Sequence, residues 1–244
     1  MRGKLIVFEG GEGSGKTTQI QRLHGWLSKN DTLKLLQSQN TIAGVKITRE
    51  PGGTILGQQI RHLLLNQQNP ADAPINSRTE LLLYAADRAQ HVEEMLRPWL
   101  KAGYWVLCDR YTDSTVAYQG YGRQLDLTLI DTLNQIATSG LKSDLTFWLN
   151  VSPAVGLERM HKRGQADRIE QASSDFHQRV NAGFTALATS LPTFLPDGTE
   201  QEQANFSSSG PTVEIDGAQS ESAVATAIQQ TMQKKLAQWY PQLT

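Results

Sequence analysis

Short apolar runs alternate along this chain with longer segments in which apolar residues recur every three or four positions. Residues 4–9 open the series as a strand. Residues 15–29 follow as a helix, with Ile20, Leu23, Trp26 and Leu27 on one face. The alternation continues with a strand at 45–48 and a helix at 54–66 that groups Ile60, Leu63 and Leu64. A long helix is predicted over 77–101, with Ser77 as its cap, Glu80 three residues on and Pro98 marking a kink near its end. A buried strand at 104–108, a helix at 126–139 and a strand at 145–149 come next. Pro153 suits a helix start, because its missing N–H costs nothing there. Residues 168–190 read as helix, 213–215 as a last strand and 220–238 as a C-terminal helix. Such alternation predicts parallel strands joined by crossover helices, hence a three-layer α/β fold.

Two stretches interrupt the pattern. Residues 28–44 are polar and irregular and read as an exposed connection. Residues 192–211 hold prolines, glycines, serines and three acids with no Lys or Arg, which reads as a mobile surface loop. The alternation resumes after each, so a single domain over 1–244 is expected.

Composition narrows the classes. The 23 basic and 24 acidic residues give a net charge of −1, so there is no electrostatic case for nucleic acid or a membrane surface. No apolar stretch approaches the ~20 residues of a membrane span. The first residues run straight into a strand without a leader pattern. Cys108, the one cysteine, has no partner for an internal disulfide and sits in an apolar strand pattern, which fits a small core residue and a reducing, cytoplasmic setting.

The sharpest chemical signal directly follows the first strand. Gly10, Gly11, Glu12, Gly13, Ser14, Gly15, Lys16, Thr17 and Thr18 contain G-x-x-x-x-G-K-[ST] between a strand and a helix. The glycines let backbone N–H groups turn inward, and with the helix N-terminus they hold phosphate. Lys16 reaches the outer phosphates and the Thr17 hydroxyl ligates Mg²⁺. The chain is therefore expected to bind a nucleoside triphosphate. Asp109 and Arg110 end the strand at 104–108. Asp109 would join the Mg²⁺ shell, and Arg110 would lie at the mouth of the sheet. Thr48 to Thr54 forms a turn with Pro51 and two glycines after another strand, and Arg49 at its start can grip a phosphate with its planar fork. Tyr84 and Arg88 are four residues apart on a helix and share a face, which suits a planar base. Residues 159–168 carry Arg159, Lys162, Arg163 and Arg168 around a glycine. Such a run is either a solvated face or a lid that brings arginines to a transferring phosphoryl group.

Taken together, residues 8–19, 48–54, 82–94, 109–123 and 163–170 resemble the thymidylate kinase family, in order and over nearly the whole chain. The resemblance implies a P-loop kinase fold with a five-stranded parallel sheet, a lid at about 159–170, a homodimer, and transfer of the γ-phosphoryl group of ATP to dTMP. It implies that Arg49 and Arg110 hold the acceptor phosphate, Tyr84 stacks on the base and Arg88 reaches the base edge. Gln119 resembles a further base or sugar contact, and Glu12 the carboxylate at the sugar 3′-hydroxyl. Some family members place a catalytic arginine after the P-loop acid. Gly13 stands there in this chain, so the resemblance is to the subgroup that draws its arginine from the lid, with Arg163 first and Arg159 and Arg168 next. The adenine pocket has no clear motif, and backbone near 213–217 is the expectation. A regulatory P-loop ATPase or GTPase would have no reason to carry the acceptor set of Arg49, Tyr84, Arg88 and Arg110. The nearer alternative is a kinase for another nucleoside or nucleotide.

Overall fold

The structure is a computed structural model that describes residues 2–66, 74–164, 167–188 and 210–241, without the side chains of His161 and Arg163. Its strands are β1 (Leu5–Glu9), β2 (Gly44–Arg49), β3 (Tyr104–Asp109), β4 (Leu145–Asn150) and β5 (Thr212–Asp216). They form one parallel sheet in the order β2-β3-β1-β4-β5. The helices are α1 (Lys16–Lys29), α2 (Asp31–Ser38), α3 (Ile55–Leu65), α4 (Ser77–His91), α5 (Arg97–Lys101), α6 (Thr112–Thr115), α7 (Leu127–Thr138), α8 (Pro153–Arg163), α9 (Ser174–Ala188) and α10 (Glu221–Trp239).

Strand alternation divides the core into layers. Ile6 and Phe8 of β1 face one side, where they pack with Ile20 and Leu23 of α1, Leu33 and Leu36 of α2 and Ile228 of α10. Leu5 and Val7 face the other side and meet Val92, Leu96 and Leu100. On that second side α9 brings Phe176, Val180 and Phe184 against Tyr118 and Trp148. Helices thus cover both faces of the sheet, as parallel strands require.

Several local expectations change. Residues 28–44 are not simply irregular, because Asp31–Ser38 is helical. Asn30 caps it by accepting from the Leu33 N–H, and Leu33 and Leu36 give it a buried edge that a polar composition concealed. The cap of α4 is Asn76 rather than Ser77, with Asn76 accepting from the Arg78 N–H at 3.0 Å. The helix predicted over 77–101 widens into π-helical turns at Val92–Leu96 before α5. Pro98 then falls in the first turn of α5, where its missing N–H is harmless. Residues 168–171 form turns, and α9 begins only at Ser174. The loop expected at 192–211 lies outside the described residues up to 209.

Topology places the site. β1 is central, with β3 on one side and β4 on the other, so the chain reverses its winding direction beside β1. Ligands of open α/β sheets bind beyond the carboxyl ends of strands at such a point. The register aligns these ends, with Phe8 opposite Asp109 and Asp109 opposite Arg49.

Candidate active site

A cleft of about 710 Å³ opens at the carboxyl ends of the strands. The P-loop forms its floor. Gly13 and Gly15 have φ of +67° and +90°, which side chains rarely tolerate. A Cβ on Gly13 would also collide with the Gly156 carbonyl of α8. Lys16 turns back into the loop and donates to the Gly10 and Gly11 carbonyls, both at 2.9 Å, and to Ser14 Oγ at 3.2 Å. Burial and the nearby Arg110 lower the Lys16 ammonium to about 8, against the pull of Glu12 and Asp109. Thr17 Oγ1 lies 3.0 Å from Asp109 Oδ2. A hydroxyl and a carboxylate oxygen therefore converge beside the phosphate loop. These are hard oxygen donors of the kind Mg²⁺ takes, with water and phosphate filling its other positions.

Arg110 holds the centre of the cleft. Its backbone is left-handed, with φ +70°. That conformation costs a non-glycine residue of order 1–3 kcal/mol and is found where surrounding structure enforces it, often at functional sites. Here the Arg110 N–H donates to the Phe8 carbonyl at 2.9 Å. Its neighbour Tyr111 donates to Glu9 Oε1 at 2.7 Å. The guanidinium donates to Glu12 Oε1, the Gly10 carbonyl and Ser114 Oγ. Tyr118 donates its hydroxyl to the same Glu12 oxygen at 2.7 Å. Burial by itself would raise the Glu12 carboxyl, but Arg110, Lys16 and the Tyr118 hydroxyl bring it down to about 2. Glu12 is therefore anionic at neutral pH.

The opposite wall carries the other cations. Arg49 is exposed and makes no hydrogen bond or ion pair among the described residues. Arg61 of α3 stands near it, held by the Pro51 carbonyl at 3.0 Å, and burial together with Arg49 lowers its pKa. The sequence reading passed over Arg61. The available signal was the spacing of Gly57, Arg61 and Leu65, which puts all three on one face of α3. Arg61 and Leu65 both line the cleft.

Tyr84 and Arg88 both line the cleft as well, but differ in freedom. Tyr84 is half-buried. Its hydroxyl is kept neutral by burial and by Glu80. Arg88 is 2% exposed and spends four of its five N–H groups on Glu50, Thr115, Asn134 and the Tyr111 carbonyl. Its first task is structural. Gln119 also borders the cleft and donates to Glu80 at 2.9 Å. Glu80 is fully buried and also accepts from Arg123 and Arg168.

Of the arginines at 159, 163 and 168, the two with described side chains have protein partners. Arg159 donates to the Gly217 carbonyl at 2.9 Å, and Arg168 to the Leu64 carbonyl at 2.7 Å and Glu80 at 2.6 Å. Arg163 is the last residue of α8, and its side chain lies outside the described residues. At the far end of the cleft Gly217 is joined by Thr18, Gln19, Gln219 and Glu221. Of the segment 213–217 expected there, Gly217 borders the cleft.

One sheet edge thus combines an anion-binding loop on β1, an acid-arginine pair on β3 and arginines with an aromatic ring on the facing wall. This defines a P-loop phosphotransferase whose cleft extends to an acceptor side. The thymidylate kinase family model matches residues 8–206, and the chain belongs to that family. It is 54% identical to the thymidylate kinase of Cyanothece sp., over 100% of this chain and 99% of that protein. It is 48% identical to the thymidylate kinase of Acaryochloris marina, over 99% and 100% of the two chains. The solved thymidylate kinase of Ehrlichia chaffeensis is 29% identical and superposes with a TM-score of 0.66, covering 95% of this chain and all of its own.

Proposed function

We propose that this protein transfers the γ-phosphoryl group of ATP to dTMP, giving dTDP and ADP, and that residues 1–244 act as one kinase domain. Family membership supports the reaction, and one observation carries it to these residues. A single cleft joins the P-loop to Arg49, Arg61, Arg110 and Tyr84. The P-loop backbone, Ser14, Lys16, Thr17 and Thr18 take the donor phosphates. Arg49, Arg61 and Arg110 offset the charge of the acceptor phosphate, which would otherwise be repelled by the triphosphate. Glu12 takes the sugar hydroxyl, Tyr84 stacks on the base, and Gln119 and the remaining N–H of Arg88 meet its edge. The acceptor phosphate oxygen is already a competent nucleophile, so no general base is assigned. Catalysis is alignment and electrostatics. Thr17 and Asp109 would hold Mg²⁺, which would supply charge neutralisation at the donor phosphates.

ATP consumption measured with a panel of nucleoside and nucleotide acceptors in Mg²⁺ buffer tests this reading. Turnover is expected with dTMP and little with the others; consumption independent of any acceptor would refute it. Tyr84→Ala is expected to raise the KM for dTMP about tenfold, since base–aromatic stacking is worth about 1–3 kcal/mol. Tyr84→Phe should be nearly silent in the same assay. A large loss in Tyr84→Phe would assign the contact to the hydroxyl.

The protein acts as a homodimer in this reading. Ile55 and Leu63 of α3, Leu82 of α4 and Ile136 of α7 are all more than half exposed, Ile55 at 78% and Ile136 at 68%, and α4 packs against both other helices. Exposed aliphatic residues concentrated on adjoining helices suit a self-complementary interface. Leu63→Glu with Ile136→Glu should give folded monomers in sedimentation experiments. A monomeric wild type at micromolar concentration would rule the dimer out. No helix among the described residues is long and apolar enough to cross a membrane. The free, buried thiol of Cys108 supports a cytoplasmic setting.

A further inference from the structure

Behind the acceptor wall lies a polar cluster that the phosphoryl-transfer scheme leaves unused. His91, the last residue of α4, is completely buried. Its Nδ1 is 2.8 Å from Glu50 Oε1, and its Nε2 is 2.7 Å from Thr48 Oγ1. Glu50 is 3% exposed and its other oxygen accepts from Arg88 Nε at 2.8 Å. The His91 ring thus bridges Glu50 on one side and the Thr48 hydroxyl on the other.

Thr48 and Glu50 flank Arg49, the exposed cation of the acceptor pocket. The turn that follows is held by the same helix face. Asp87 accepts from the Gly52 N–H at 2.9 Å. Gly53 lies so close to the His91 ring that an added Cβ would stand 2.5 Å from its Cδ2. Asp87, Arg88 and His91 therefore grip the segment from Thr48 to Gly53 on both sides of Arg49. Buried hydrogen bonds of this kind fix geometry, because breaking one leaves an unpaired polar group in the core.

We propose that His91 is a positioning residue for the acceptor: by holding Thr48 and Glu50 from behind, it fixes the backbone that presents Arg49 and, through Glu50, the orientation of Arg88. It never touches substrate. Its effect falls on the acceptor half of the cleft, because none of these groups reaches the P-loop lysine or the adenine end. The assignment rests on the kinase reading given above.

The test is steady-state kinetics in both substrates on the full chain. His91→Phe keeps a ring against Gly53 and removes both hydrogen bonds. Its KM for dTMP should rise about tenfold or more, with the KM for ATP within about twofold of wild type. His91→Asn places an N–H near the Nδ1 position, restores the bond to Glu50 and should recover most of that loss. If His91→Phe does not fold, Thr48→Val removes the partner of Nε2 and should raise the KM for dTMP about threefold, again without touching ATP. An unchanged KM for dTMP in the folded variant, or equal rises for both substrates, would overturn the proposal. Failure of the kinase reading would instead show in the wild type, as absence of dTMP-dependent turnover.

Discussion

Lys16→Ala is expected to abolish measurable turnover while the protein stays folded. The side chain donates to two loop carbonyls and to Ser14, but the loop geometry rests on glycine backbone and on the start of α1. Removing the ammonium therefore costs little fold and nearly all of its chemistry. Burial and the neighbouring Arg110 already hold it down to about 8, so it is a poorly solvated cation whose natural complement is an outer phosphate. Loss of one preorganised charge donor at a developing charge costs about 10²–10³ in kcat, and in the proposed reaction Lys16 meets the transferring group itself. A coupled assay of ADP formation, with circular dichroism and thermal melting as controls, reads the result. Near-normal turnover in the folded variant would remove Lys16 from the reaction.

Arg163→Ala is expected to lower kcat about 10³-fold and to leave both KM values nearly unchanged. An arginine that engages only the reacting complex acts on the transition state and not on ground-state binding. Arginines in this role are worth 10³ or more in related phosphoryl transfer. Gly13 supplies no arginine from the P-loop. Arg163 is the first candidate because it stands in the stretch 163–170 that resembles the family, while Arg159 is engaged with the Gly217 carbonyl and Arg168 with Glu80 and Leu64. Arg159→Ala should act mainly on the KM for ATP, since its contact lies at the far end of the cleft beside Gln19 and Glu221. The three single variants and the triple variant separate these roles. Wild-type kcat in the triple variant would return the run to a solvated surface.

How much of this was legible in the sequence depends on what each element buries. The strands were, because short runs such as residues 5–8 are apolar on both faces of a covered parallel sheet. Helix α2 was hidden by its polar surroundings, since only Leu33 and Leu36 reach the core. Helix α6 and the π-helical turns at Val116–Gly122 were hidden for a different reason. Thr112, Asp113, Ser114 and Thr115 are buried through hydrogen bonds and leave no apolar period to read. The P-loop and the Asp109–Arg110 pair were legible because their chemistry is local, a few residues beside a strand end. Arg61, Glu50 and His91 were not, since their meaning comes from partners on other elements. Arg88 was legible only by half: its place at the cleft could be expected, but not that Glu50, Thr115, Asn134 and Tyr111 would claim most of its donors.

The contact between Gly13 and Gly156 sets a choice that the chain has made once. The backbone of α8 occupies the space any side chain at position 13 would need, and a Cβ at 156 would in turn strike the Glu12 carbonyl. A side chain at position 13 and α8 in its present seat are thus mutually exclusive occupants of one volume. An arginine grafted at position 13 would have to displace α8 from its seat on the loop. Room for a side chain at position 13 therefore requires the loop and α8 to change together.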